Sequence, residues 1–293
     1  MRKIYLKVSD LVVEISGEDR YLDLYRLDKY KQFLVEKAED IEFRLEAVFC
    51  EKSELERELD NSKVVLSWEG DGFYFQRNDG MNIFRLFDQD DELGNNYMLV
   101  NNDYTFGRIL LSNDFDYREY FHNDMMVIYS SILSKKEGML LHCSCVKDLR
   151  LNKIYAFSGQ SGNGKSTIGK IFASRDKDFC VLNDERVVIR MIDGKTMCYG
   201  TPWYSASKLC YNDSGILDTI FFIEHGKTNF CEEKGYADGC HNVISNFYFF
   251  PKWKNTFVRN SLTIAREIAK SVKMKRLGFI PTEEVIEFVR SSI

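Results

Sequence analysis

The hydrophobic pattern of the first 110 or so residues is strand-rich, and the texture of the chain changes after about residue 138. In "DIEFRLEAVF", Ile41, Phe43 and Leu45 fall on one face and Glu42, Arg44 and Glu46 on the other, the period-two pattern of a half-buried strand. "VVLSWEGDGFYFQ" predicts two strands joined at Gly70-Asp71-Gly72. Residues 22–36 are closer to helical spacing. "YREYFHNDMMVIYSSILSKKEG" predicts a helix with Tyr117, Phe121, Met125, Ile128 and Ile132 on one side and Gly138 as its stop. Beyond it, "MLLHCSCV" and "KIYAFSG" read as strands separated by "KDLRLN". A helix is expected over about residues 166–173, then a strand "FCVLNDE", and then a hairpin turning on Asp193-Gly194. "ILDTIFFIE" and "MKRLGFI" predict further strands, and "SLTIAREIAKSV" and "TEEVIEFVRSS" further helices. The change of texture divides the chain into a β-rich region, 1–137, and a second region, 138–293.

Composition narrows the class. With 293 residues, 44% of them apolar, the chain can bury a sizeable core without staples. No apolar run approaches the ~20 residues of a membrane span. The net charge of −5 gives no basic excess, which argues against a general nucleic-acid or membrane-surface binder. The eight cysteines include no C-x-x-C pair, and the start "MRKIYLKVSD" has no apolar signal segment, so free thiols in a reducing cytoplasm are expected. Cys231, Cys240 and His241 cluster in sequence, but at no common zinc spacing. "FFPKWKN" mixes aromatics with lysines over too few residues to indicate nucleic-acid binding and reads as cover for a core edge.

Candidate chemistry centres on "FSGQSGNGKST", residues 157–167, which fits G-x-x-x-x-G-K-[ST]. With glycine near 7% of residues, that match arises by accident in about one chain in a hundred of this length. The motif also follows a β-type run and precedes a helical segment, as its mechanism requires. Gly159, Gly162 and Gly164 let the backbone wrap closely, so that its N–H groups, with those of Ser161 and Asn163, meet phosphate oxygens. Lys165 brings a full positive charge to the outer phosphates, Ser166 a hydroxyl to Mg²⁺, and Thr167 continues into a helix whose positive end faces the same anion. A magnesium site also needs a carboxylate at a neighbouring strand end. The nearest candidates are Asp184 and Glu185 in "CVLNDERVVI". There is no LSGGQ-like run and no N-K-x-D, which disfavours a transporter-type ATPase or a GTP switch.

The series "HCSCV…FSGQSGNGKST…LNDERVVI" resembles the kinase domain of HPr kinase/phosphorylase, and "YGTPW" (Tyr199, Gly200, Thr201, Pro202, Trp203) is similar to the related branch of small bacterial proteins described as phosphoenolpyruvate carboxykinase-like. "DIEFRLE" and "NNDYTFGRILL" resemble that branch as well. The resemblance implies an α/β fold of the HPr kinase/phosphoenolpyruvate carboxykinase type, a phosphate loop in a mixed β-sheet behind a β-rich N-terminal part. It implies an ATP- and Mg-dependent kinase acting on a serine-type hydroxyl of a small protein or peptide, with Asp184 as the proton acceptor and His142 aimed at the phosphates. The family's paired aspartates correspond to Asp184 and Glu185, and its C-terminal substrate-gripping segment has no recognisable match. ATP over GTP follows from the resemblance alone. A carboxykinase-like enzyme and a nucleotide-binding regulatory protein with little catalysis are the alternatives; a homo-oligomer is left open.

Other readings accompany these. Along its strand His142 shares a face with Ser144, and Cys143 with Cys145. The cysteines are expected in the core. Glu185 is either a metal contact or a solvated neighbour, Arg186 a partner for Asp184 or the phosphates or a strand-edge charge, and Trp203 either a ligand-facing plane or the anchor of a turn.

Overall fold

In the computed structural model, residues 2–59, 62–68, 72–77, 79–86, 96–113, 121–204, 207–248 and 251–293 are described. They form a mixed α/β architecture with two mixed sheets, divided between two compact units: Met1–Ile132 with Pro251–Asn255, and Leu133–Phe250 with Thr256–Ile293. No helix among these residues is long and apolar enough to cross a membrane.

The first unit contains strands β1 (Arg2–Val8) and β2 (Leu11–Gly17), short helices α1 (Asp19–Leu22) and α2 (Asp28–Lys31) flanking a 3-10 turn, and β3 (Leu34–Val35). There follow β4 (Phe43–Cys50), α3 (Lys52–Leu59), β5 (Ser62–Trp68), β6 (Gly72–Arg77), β7 (Asn82–Leu86), β8 (Asn96–Val100), β9 (Phe106–Ser112) and α4 (Phe121–Lys135), the last turn of which belongs to the second unit. The sheet order is β3-β1-β2-β4-β9-β8-β7-β6-β5. In β4, Phe43 and Leu45 are buried and Arg44 is exposed, as the alternation requires. Residues 22–36 break into separate short turns and end in a strand, so no single helix forms there. The turn expected at Gly70-Asp71 and the helix position Tyr117 lie outside the described residues, as do Phe249 and Phe250 of "FFPKWKN". From that last segment Trp253 packs edge-on against Phe84, ring centroids 5.2 Å apart. Helix α4 ends at Lys135, and Glu137, at φ 52°, makes the left-handed exit expected of Gly138.

The second unit opens with β10 (Gly138–Asp148), β11 (Lys153–Ser158), α5 (Lys165–Ala173), β12 (Phe179–Asn183), β13 (Arg186–Ile192), β14 (Lys195–Tyr199) and β15 (Ser214–His225). It closes with β16 (Phe230–Glu233), α6 (Tyr236–Ser245), α7 (Asn255–Ser271), β17 (Lys273–Phe279) and α8 (Glu284–Ser291). Asp193 and Gly194 turn the β13–β14 hairpin with both φ angles positive, 50° and 73°. β11 runs parallel to β15 and β15 to β17, while β10 is antiparallel to β11, β12 and β13. Apolar side chains leave the central strands in both directions. Tyr155, Phe157, Phe221 and Ile223 join α5 and α8, and Ile154, Ala156, Ile220 and Phe222 join α6 and α7. These central strands are therefore covered on both faces.

A buried ion pair ties the last helix to the sheet. Asp148 accepts Arg290 Nε at 2.8 Å and the backbone N–H groups of Arg150 and Leu151, so its lone pairs are satisfied although the side chain has no exposed surface. These bonds hold the Asp148 carboxyl below the usual carboxylate range against the opposing effect of burial.

Candidate active site

Two strand ends and one loop build the site. Residues 159–164 connect β11 to α5, with Gly162 at φ 87° and Gly164 at φ 94°, the left-handed region that a side chain disfavours. Gly164 also has no room: a Cβ there would lie 2.9 Å from the Phe279 ring. The loop is braced from β15, since Asn163 donates its Nδ2 to the Ile223 carbonyl at 2.9 Å and His225 Nε2 lies 2.9 Å from the Gly162 carbonyl oxygen. Lys165 is only 8% exposed, and its Nζ donates to the carbonyls of Gly159 (2.8 Å) and Gln160 (3.1 Å). Burial lowers its pKa. Ser161, Ser166 and Thr167 are exposed on the loop and the first turn of α5.

Asp184 follows the end of β12 and is 1% exposed, which excludes a merely surface strand end. It lines a cavity of about 440 Å³ together with His142, Ser161, Gly162, Gly164, Lys165, Ser166, Thr167 and Glu185. Every residue expected at the site except Gly159 and Asn163 thus meets in one cavity. Those two line an adjoining cavity of about 630 Å³, which also includes His142 and Ser161.

The bend that presents the acids is locked by Asn183 and Thr201. Asn183 Oδ1 accepts the backbone N–H groups of Glu185 (2.7 Å) and Arg186 (2.8 Å). Its Nδ2 donates to the Thr201 carbonyl at 2.9 Å, and the Thr201 hydroxyl donates to the Arg186 carbonyl at 2.6 Å. Asparagine directly before two carboxylates at a strand end is an Asx-turn signal, and it was available in "LNDE". Thr201 therefore serves "YGTPW" as a clamp on the acids. Trp203, 1% exposed, is the buried anchor of that segment and offers no plane to a ligand. Ser207 donates its hydroxyl to Asp184 Oδ2, a contact with no sequence signal.

Arg186 pairs with Glu185 at 3.0 Å, and its guanidinium lies 4.1 Å from the Tyr248 ring centroid. His142 sits where β10 changes partners, paired with Arg186 on β13 just before Cys143 pairs with Ser158 on β11. Its ring meets Tyr248 edge-on at 5.8 Å. Cys143 and Cys145 face the core, fully buried, and all eight cysteines are free. Among the described residues no group of three or more His, Cys, Asp or Glu side chains could hold a metal ion, Cys231, Cys240 and His241 included. Magnesium needs no such cluster. It takes one or two carboxylates with waters and substrate phosphates, and the oxygen-bearing side chains of Asp184, Glu185 and Ser166 line one cavity.

Burial, with Lys165 and Arg186 nearby, pushes the His142 pKa from 6.5 down to about 4, so the ring is neutral at pH 7. Between those two values the unfolded chain binds a proton that the folded one refuses. The stability that His142 contributes is therefore full above pH 6.5 and lost as pH falls towards 4. Partial exposure screens the effect to about 1–2 kcal/mol. Urea midpoints measured from pH 7 to pH 4.5 should fall less steeply in His142→Gln than in the wild type; parallel curves would contradict the assignment.

Comparison with known protein families and with curated proteins finds no match for this chain. The likeness to HPr kinases thus rests on the quoted residues alone.

Proposed function

We propose that the chain is an ATP- and Mg²⁺-dependent kinase of the HPr-kinase type, with that family's fold, and that it phosphorylates a serine-type hydroxyl on a small protein or peptide. The observation that carries this reading is the buried Asp184 carboxylate lining the same 440 Å³ cavity as Lys165 and Ser166. Phosphoryl transfer needs positioning, charge neutralisation and an acceptor for the hydroxyl proton. The loop N–H groups and the N-terminus of α5 cradle the phosphates, and Lys165 adds a full charge to the outermost. Ser166, Asp184 and Glu185 would hold the metal, which when bound would neutralise phosphate charge. Asp184 takes the proton of the attacking hydroxyl. Arg186 keeps Glu185 oriented, and Asn183 with Thr201 keeps both acids at the mouth of the loop. His142, neutral at pH 7, gives the site a hydrogen-bonding ring without a further charge. The adjoining 630 Å³ cavity has the size that small-molecule sites take and is open to the rest of the nucleotide.

Purified protein with γ-labelled ATP, magnesium and a cell extract provides the test. Label on an extract protein or peptide is the expected result. Carbon dioxide release from oxaloacetate would replace this reading with a carboxykinase-like one. Tight nucleotide binding without turnover would replace it with a regulatory binding protein.

A further inference from the structure

The hydroxyl that meets Asp184 belongs to the chain itself. Ser207 donates to Asp184 Oδ2, the atom to which an attacking hydroxyl would deliver its proton. The segment bearing Ser207 is fastened to β12, the strand that ends just before Asp184. Tyr211 N–H donates to the Leu182 carbonyl at 3.0 Å, and Cys210 forms a β-bridge with Asn183, the residue that locks the acidic bend. Lys208, directly after Ser207, holds φ 59°, a left-handed backbone that lysine rarely adopts. Strained positions of this kind persist where surrounding contacts over-determine them, and they gather at functional sites. Residues 208–211 also line a cavity of about 470 Å³, so the segment is not packed solid.

We propose that Ser207 is a phosphoacceptor in cis, a modification site held against the carboxylate that lines the chain's own candidate site. The inference rests on the phosphotransfer reading. Ser207 Oγ forms a bond to the γ-phosphorus as the bond from that phosphorus to the β–γ bridging oxygen breaks. The nucleoside diphosphate leaves with that electron pair, and the Oγ proton passes to Asp184 Oδ2. The product carries close to two negative charges beside Asp184 and occupies the place of any other acceptor, so the modified chain is a poorer kinase towards external substrates.

The full-length protein, incubated with Mg²⁺ and γ-labelled ATP, is digested and its phosphopeptides mapped, with an extract-labelling reaction run alongside. A single phosphate on Ser207 is expected, formed at a first-order rate that does not change across a wide dilution series. Ser207→Thr should keep the label and Ser207→Ala lose it. An extract acceptor that is labelled while Ser207 stays bare overturns this inference and leaves the kinase reading standing. Self-label on another residue, or a rate that rises with protein concentration, also overturns it. Label on neither chain nor extract overturns both.

Discussion

Asp184→Asn is expected to lower phosphotransfer by about 10²–10⁴-fold, the usual contribution of a general base, while nucleotide binding changes little. The amide has nearly the same shape as the carboxylate and retains an oxygen that can accept from Ser207, so the contact that fastens the neighbouring segment survives. What it loses is the ability to take a proton. The proposed phosphate cup consists mostly of other groups: the backbone of residues 159–164, Lys165 with its bonds to Gly159 and Gln160, and the first turn of α5. Single-turnover transfer from labelled ATP, paired with a nucleotide titration, separates the two effects. Transfer at the wild-type rate in the folded variant would remove Asp184 from the chemistry.

Gly200→Ala should cost about 3 kcal/mol or more and reach the candidate site without touching it. A Cβ at residue 200 would lie 1.9 Å from the Tyr211 carbonyl oxygen and 2.9 Å from that of Leu182. Both are backbone atoms held in sheet-like pairing, since Gly200 N–H donates to Asp213 and Tyr211 N–H to Leu182. No side chain can swing aside to make room, so the strands must part. The segment they would release carries Ser207 and abuts the Thr201–Asn183 clamp. A loss of this size corresponds to roughly 6–12 °C in melting temperature for a large domain. Thermal unfolding and single-turnover transfer should therefore fall together. An unchanged melting temperature would mean that the close approach at Gly200 is not what holds this segment in place.

The glycine in "YGTPW" thus acts through packing, and its spacing alone does not reveal this. Where local chemistry sets conformation, the sequence was readable. Asp193-Gly194 turns its hairpin because both residues tolerate positive φ, and Phe43 and Leu45 bury the face that alternation assigns them. The Ser9-Asp10 turn between β1 and β2 has the same positive-φ shape, 53° and 63°, without a glycine to announce it. Gly138 looks like a helix stop, yet Glu137 makes the exit, because the paired strand beyond fixes the path more strongly than the residue's own preference.

The amino-acid sequence by itself determined the glycine-rich loop between β11 and α5. A glycine-rich turn between strand and helix, closed by Lys165 and Ser166, owes its shape to the φ freedom of adjacent residues, so neighbours in sequence suffice. It also supplied the two acids and the face of β10 that His142 shares with Ser144, since period two is a local property of strands. Only the tertiary structure decided that Thr201 clamps the Asn183 turn, that Trp203 is buried, and that Ser207 meets Asp184. Each of these contacts joins segments separated along the chain and depends on which strand lies beside which. Strand adjacency is set by the burial of both faces of the sheet at once, a sum over the whole unit that no single stretch of residues encodes.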